Sequence, residues 1–224
     1  MKIIQIYDLF GYDNRKIIAT YWQSGETKSS QLACVFPGYS YSTEAPVLFY
    51  LKLLFINSNY DWLSIDYRYN ENKEFNILSE EDRMEYFNLE QEKIFQFIKT
   101  NYAPTEIVWI GKSLGSVSVK EKFKKDTDTN NTNKIILLTP ISECYSIAND
   151  IKKTNTETIV IIGDKDPFYE SYINSDLSRL PNVKTNIIKD AGHIFENINE
   201  DIEKSINNIG KVISLIKDDL QFGT

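Results

Sequence analysis

Cysteine is nearly absent from this 224-residue sequence: Cys34 and Cys144 stand far apart and without C-x-x-C spacing. That argues against a disulfide framework and a cysteine-rich zinc site, and leaves two buried free thiols as the expectation. Histidine is scarcer still, since His193 is the sole imidazole. An excess of positive charge is missing too. With 25 Lys and Arg against 32 Asp and Glu, the formal charge is −7. No basic stripe offsets it, which argues against nucleic acid as a partner. Long apolar runs are also lacking. The longest, residues 45–56, is interrupted by Lys52 and is too short to span a bilayer, so no membrane partner is expected. Polar residues break the N-terminal Met-Lys-Ile-Ile-Gln-Ile-Tyr-Asp too early for a secretory apolar region, and the expected location is cytoplasmic. No repeat, heptad or Pro/Gly/Ser-rich linker divides the chain, so residues 1–224 are expected to form one domain.

What is present is an alternation of two periodicities. Apolar runs at Lys2–Tyr7 and Lys16–Trp22 flank Gly11 and the turn-prone Asp13-Asn14, as in an antiparallel hairpin. Short β-rich runs follow at Gln31–Phe36, Trp62–Tyr67, Glu106–Ile110, Lys134–Leu138, Thr158–Ile162 and Val183–Ile188. Several are apolar almost throughout, as strands covered on both faces should be. Between them Ser79 can cap a helix whose first turn holds Glu80, Glu81 and Asp82, with Met84, Phe87, Ile94, Phe95 and Ile98 at helical spacing. Near the C-terminus Ile198, Ile202, Ile206, Ile209, Ile213 and Ile216 form a second stripe, read as a core-facing helix surface. Such alternation predicts an α/β fold with a largely parallel sheet between helices. Ligands of these sheets sit beyond the carboxyl ends of the strands.

The residues at those ends carry the chemistry. After the strand ending at Ile110 comes Gly111-Lys112-Ser113-Leu114-Gly115 and then a predicted helix. This is G-x-S-x-G in the strand–turn–helix setting of a nucleophile elbow. A plain glycine turn whose serine caps the next helix is the bland alternative. A phosphate loop is a poor one, because Glu106 stands where the pattern demands glycine. Lys112 reads as a solvated or salt-bridged side chain. Farther on, Gly163-Asp164-Lys165-Asp166 follows one strand and Asp190-Ala191-Gly192-His193 the next, which completes the order Ser, Asp, His. His193 is the one imidazole that can activate Ser113. From the residues alone, Asp164 and Asp166 both remain candidates for the acid.

Phe36-Pro37-Gly38-Tyr39, Ser64-Ile65-Asp66-Tyr67-Arg68, the Gly111–Gly115 elbow, Gly163–Asp166 and Ala191-Gly192-His193 together resemble the α/β-hydrolase superfamily, specifically its small lidless members. The resemblance covers essentially the whole chain. It implies a three-layer fold, an eight-stranded sheet with only an early strand antiparallel, no cap domain and a Ser-Asp-His triad. The family's acid stands three residues after the strand-ending glycine, which selects Asp166 over Asp164. The loop after the third strand is similar to the family's oxyanion loop. Gly38 would admit substrate close to the backbone, and the N–H groups of Tyr39 and Leu114 would face the oxyanion. Departures are Phe36-Pro37 where members often carry His, and Tyr69 where many carry Gly. The short stretch between Leu138 and Thr158 implies an open site, with Tyr39, Tyr41 and Phe168 as its nearest aromatic walls and Gly38, Tyr41 and Phe168 as substrate contacts.

The activity so implied is hydrolysis of a small-molecule acyl ester by water, without cofactor or metal, with thioesters and amides unseparated from esters. The alternative is a binding or sensor protein on the same fold, since fold does not dictate function. The sequence does not address the oligomeric state.

Overall fold

A computed structural model describes residues 2–11, 15–125 and 132–222. The Asp13-Asn14 turn pair lies outside the described residues. The strands are β1 (Lys2–Phe10), β2 (Lys16–Gln23), β3 (Gln31–Phe36), β4 (Asp61–Asp66), β5 (Glu106–Lys112), β6 (Thr132–Leu138), β7 (Glu157–Gly163) and β8 (Val183–Ile188). They form one sheet in the order β1-β2-β4-β3-β5-β6-β7-β8. β2 runs antiparallel to both of its neighbours, and the remaining pairings are parallel. The one reversed strand is therefore an early one. β3, β5 and β7 are buried along almost their whole length, which is why their sequences are apolar without alternation.

Helices cover both faces. In chain order they are α1 (Pro46–Asn57), α2 (Lys73–Ile77), α3 (Glu80–Asn101), α4 (Leu114–Lys125), α5 (Ala148–Thr154), α6 (Tyr169–Ile173) and α7 (Ile202–Asp219). α1 and α7 close one core around Val35, Leu51, Phe55, Trp62, Val212 and Ile216. The helices α3, α4 and α5 close the other, through Phe87, Ile94, Ile98, Val117 and Ile151. The result is a three-layer α/β architecture. Ser79 caps α3, its Oγ accepting from the Asp82 N–H at 3.1 Å, and Glu80, Glu81 and Asp82 complement the positive end of the helix dipole. Residues 139–156 hold only a 3-10 turn (Ser142–Ile147) and α5, so no cap domain stands between β6 and β7. No helix among the described residues is long and apolar enough to cross a membrane.

One expectation fails here. The C-terminal isoleucine stripe does not face the core along its length. Ile198 precedes the helix, which is capped by the Asp201 carboxylate on the Lys204 N–H. Ile202 and Ile206 are 76% and 63% exposed, whereas Ile209 and Ile213 pack against the core and Ile216 is buried in it. The first turns of α7 are left uncovered, so the apolar periodicity begins before the core does.

Candidate active site

Ser113 sits on a forced turn. β5 ends at Lys112 and α4 begins at Leu114, leaving Ser113 alone between them at φ 52°. A left-handed backbone is unfavourable for a residue with a Cβ, and surrounding contacts must hold it. They do so from two sides. The Ser113 N–H donates to the Leu138 carbonyl at 3.0 Å, and its own carbonyl accepts from the Ser116 N–H and Oγ at 2.9 and 2.6 Å. Gly115 lets the loop after β3 press against the elbow. A Cβ there would lie 1.9 Å from the Phe36 carbonyl oxygen, a distance no side chain tolerates. Gly38 approaches less closely on the other side, where a Cβ would stand 3.1 Å from Cβ of Ser113.

The turns after β7 and β8 bring two further residues to this point. His193 is half-buried, with Nε2 2.8 Å from Ser113 Oγ and Nδ1 2.7 Å from Asp166 Oδ2. Asp166 is buried, and its other oxygen accepts the Phe168 N–H at 2.8 Å. Both carboxylate oxygens are thus engaged, which fixes the plane of the group and, with it, the imidazole. Asp164 points elsewhere. It accepts the N–H of Asp190 at 2.7 Å and stands 4.0 Å from Lys165 Nζ, so it holds the turn before His193 rather than the ring. Glu196 supports the same loop, taking the Gly192 N–H on its carbonyl and the Ile194 N–H on its carboxylate, each at 2.9 Å.

Tyr39 and Leu114 each leave a backbone N–H without an acceptor among the described residues. For Leu114 the reason is generic, since the first N–H groups of a helix lie outside its ladder. The Tyr39 side chain turns outward and donates its hydroxyl to Asn76 Oδ1. The Phe168 ring lies 5.8 Å from the imidazole. Gly38, Tyr39 and Tyr41 line a cavity of about 230 Å³ whose far wall is Asp66, Arg68 and Glu71. Arg68 Nε holds Asp66 at 2.9 Å. That wall is charged where the sequence suggested only aromatics. Asp66 ends β4 and Arg68 and Glu71 follow it; the strand end, and the Ser64–Arg68 block of the resemblance, were the signals that pointed there.

Lys112 departs most from expectation. It is buried from solvent, and among the described residues no carboxylate lies within ion-pair distance of it. The side chain is 1% exposed, and its ammonium donates to Thr139 Oγ1 at 2.6 Å beneath the Tyr41 ring, 5.1 Å from the centroid. Loss of solvent pulls its pKa from 10.5 down to about 7, against an opposing pull from the Asp166 and Glu196 carboxylates. Cys34 and Cys144 are buried free thiols, and burial pushes both upward, Cys144 to about 12.

No protein-family model matches the sequence, and no curated protein matches it. Solved structures do match the fold. Est1E from Butyrivibrio proteoclasticus superposes with a TM-score of 0.72 at 12% identity, over 96% of this chain and 97% of that one. The esterase domain of a Rhodothermus marinus protein gives 0.66 at 8% identity, over 96% of each. An alpha-beta serine hydrolase homologue from Coxiella burnetii gives 0.64 at 11%, over 96% of this chain and 98% of that one.

Proposed function

On the α/β-hydrolase fold that this chain adopts, we propose a serine hydrolase that cleaves acyl esters of small molecules, with Ser113 as nucleophile, His193 as base and Asp166 as the acid. The reading rests on one observation: an unbroken line of hydrogen bonds, each under 3 Å, from Asp166 through His193 to a serine on a strained turn. In that line Nδ1 carries the proton donated to Asp166, so Nε2 is free to accept the one on Ser113 Oγ. As Oγ attacks the acyl carbonyl, that proton passes to Nε2, and the Asp166 carboxylate stabilises the imidazolium that results. The carbonyl oxygen becomes an oxyanion facing the Tyr39 and Leu114 N–H groups, each such donor being worth ~3 kcal/mol in comparable sites. The imidazolium returns its proton to the departing alkoxide. Water then enters and attacks the acyl carbon as it gives a proton to the same Nε2; the bond to Ser113 Oγ breaks, Nε2 returns that proton to Oγ, and the free acid departs.

Esters are the first reading because an alkoxide departs more readily than an amide nitrogen, which must be protonated by His193 before it can leave. The charged wall of Asp66, Arg68 and Glu71 favours a polar group on one side of the scissile bond. A fluorophosphonate probe should label the protein at Ser113, and Ser113→Ala should lose both labelling and ester turnover. Equal labelling of the two proteins would refute the assignment. A folded wild type that takes no label would instead leave a binding protein on a hydrolase fold.

A further inference from the structure

The steps above leave Lys112 unused, although it adjoins the nucleophile. Burying an ammonium is unfavourable by several kcal/mol unless a partner compensates. Here the compensation is slight: one hydroxyl, Thr139 Oγ1, and the face of one ring, Tyr41. Thr139 is itself buried and held at φ 43°, its N–H on the Ile161 carbonyl, so the acceptor is fixed in place. The groups that face Lys112 come from four strand ends. Tyr41 follows β3, and its phenol is pushed up by burial and stays neutral. Asp166 follows β7. Glu196 follows β8, and both carboxylates attract the ammonium. His193, in the same loop as Glu196, shares Asp166 with it. One buried carboxylate thus serves two cations: the ammonium of Lys112 and the imidazolium that forms on His193.

We propose that Lys112 is a positioning residue that sets the proton affinity of His193: its buried ammonium, seated on Thr139 and Tyr41, draws on the field of Asp166 and keeps the imidazole neutral. Two like charges near one carboxylate bind their protons against each other. The neutral imidazole is the form able to take the Ser113 proton, so a cation beneath the elbow extends the working range of the base toward lower pH. The consequence for turnover rests on the serine-hydrolase reading. The coupling itself does not, being a property of the folded chain.

That separation decides the test. His193 is the sole histidine, so one imidazole signal is present in the NMR spectrum and can be titrated without substrate. Lys112→Met should raise its midpoint by roughly half a pH unit or more, because the competing positive charge is gone. The acid limb of kcat/KM on an unactivated ester should move up with it. Should Lys112→Met fail to fold, Lys112→Gln keeps a donor for Thr139 without the charge, and the same shift is expected. An imidazole midpoint that stays put, or falls, in a folded variant overturns the proposal and leaves Lys112 a packing residue. Absence of fluorophosphonate labelling would remove the hydrolase reading and leave the imidazole shift as informative as before.

Discussion

Two lysines of this molecule are equally buried, each 1% exposed, and they are handled in opposite ways. Lys52 stands in the middle of α1, where its ammonium takes both oxygens of Glu44 at 2.7 and 2.9 Å. It also lies over the Trp22 and Phe49 rings, at 4.2 and 5.1 Å. Lys112, beneath the nucleophile, has a hydroxyl and one ring. A cation matched to a carboxylate is a rivet: its charge is spent locally and fastens α1 to the loop before it and to β2. A cation left with neutral partners keeps its field, and that field reaches Asp166. The lesson is that burial alone does not assign a charged residue to structure or to function; the partner does.

The largest effect that would break the contrast is at Lys112. In the folded chain its proton leaves at about pH 7, whereas the free amine holds it to 10.5. Between those values the unfolded chain binds more protons than the folded one, so stability rises with pH across that window. Below it both states are protonated and the full penalty stands. Lys112→Met removes the penalty. The variant should exceed wild type in urea at about pH 6, by on the order of 5 kcal/mol at most, and lose most of that advantage by about pH 10. Taking the difference between the two proteins cancels the other titrating groups. A difference that does not vary with pH would mean that the ammonium is better compensated than its contacts suggest.

A smaller effect of opposite sign is expected at the matched lysine. Glu44→Gln leaves the Lys52 ammonium buried with one amide oxygen and two ring faces. Removing one partner of a fully buried pair destabilises by 3–5 kcal/mol. Glu44 is 55% exposed, however, and water can take up part of its role. A loss of about 1–2 kcal/mol in stability, read from the shift of the urea midpoint, is the expected result.

Neither lysine's role was legible in the sequence, and the reason is physical. Strand periodicity reports which face a residue takes inside a sheet. At the last position of β5 the next residue turns into the elbow, and nothing in Gly-Lys-Ser-Leu-Gly says that Lys112 points inward beneath the loop after β3. Lys52 looked like an interruption of an apolar run because Glu44, its partner, lies before the helix. The strands were legible. Gln31–Phe36 and Val183–Ile188 agree at both ends, and the order Ser113, Asp166, His193 followed from strand ends once the resemblance had chosen between two aspartates. What separates Asp164 from Asp166 in space is a hydrogen bond to the N–H of Asp190, a contact across two turns that spacing cannot foresee. The isoleucine stripe of α7 erred for the converse reason: a regular pattern began where no core lay opposite.

The smallest effect sharpens the contrast most. The same replacement, Lys to Met, made at position 52 should change stability by no more than about 1 kcal/mol. Replacing a compensated buried cation by an apolar chain of similar length trades the Glu44 pairing and two ring contacts for the desolvation no longer incurred, and these nearly cancel. Glu44, half-exposed, returns to water without a buried charge left behind. Glu44→Gln placed on the Lys52→Met background should then cost almost nothing, in contrast to its effect alone, so the pair's coupling can be read from the cycle. If Lys52→Met instead stabilised the protein strongly, Lys52 would be uncompensated like Lys112, and the distinction between the two lysines would fall.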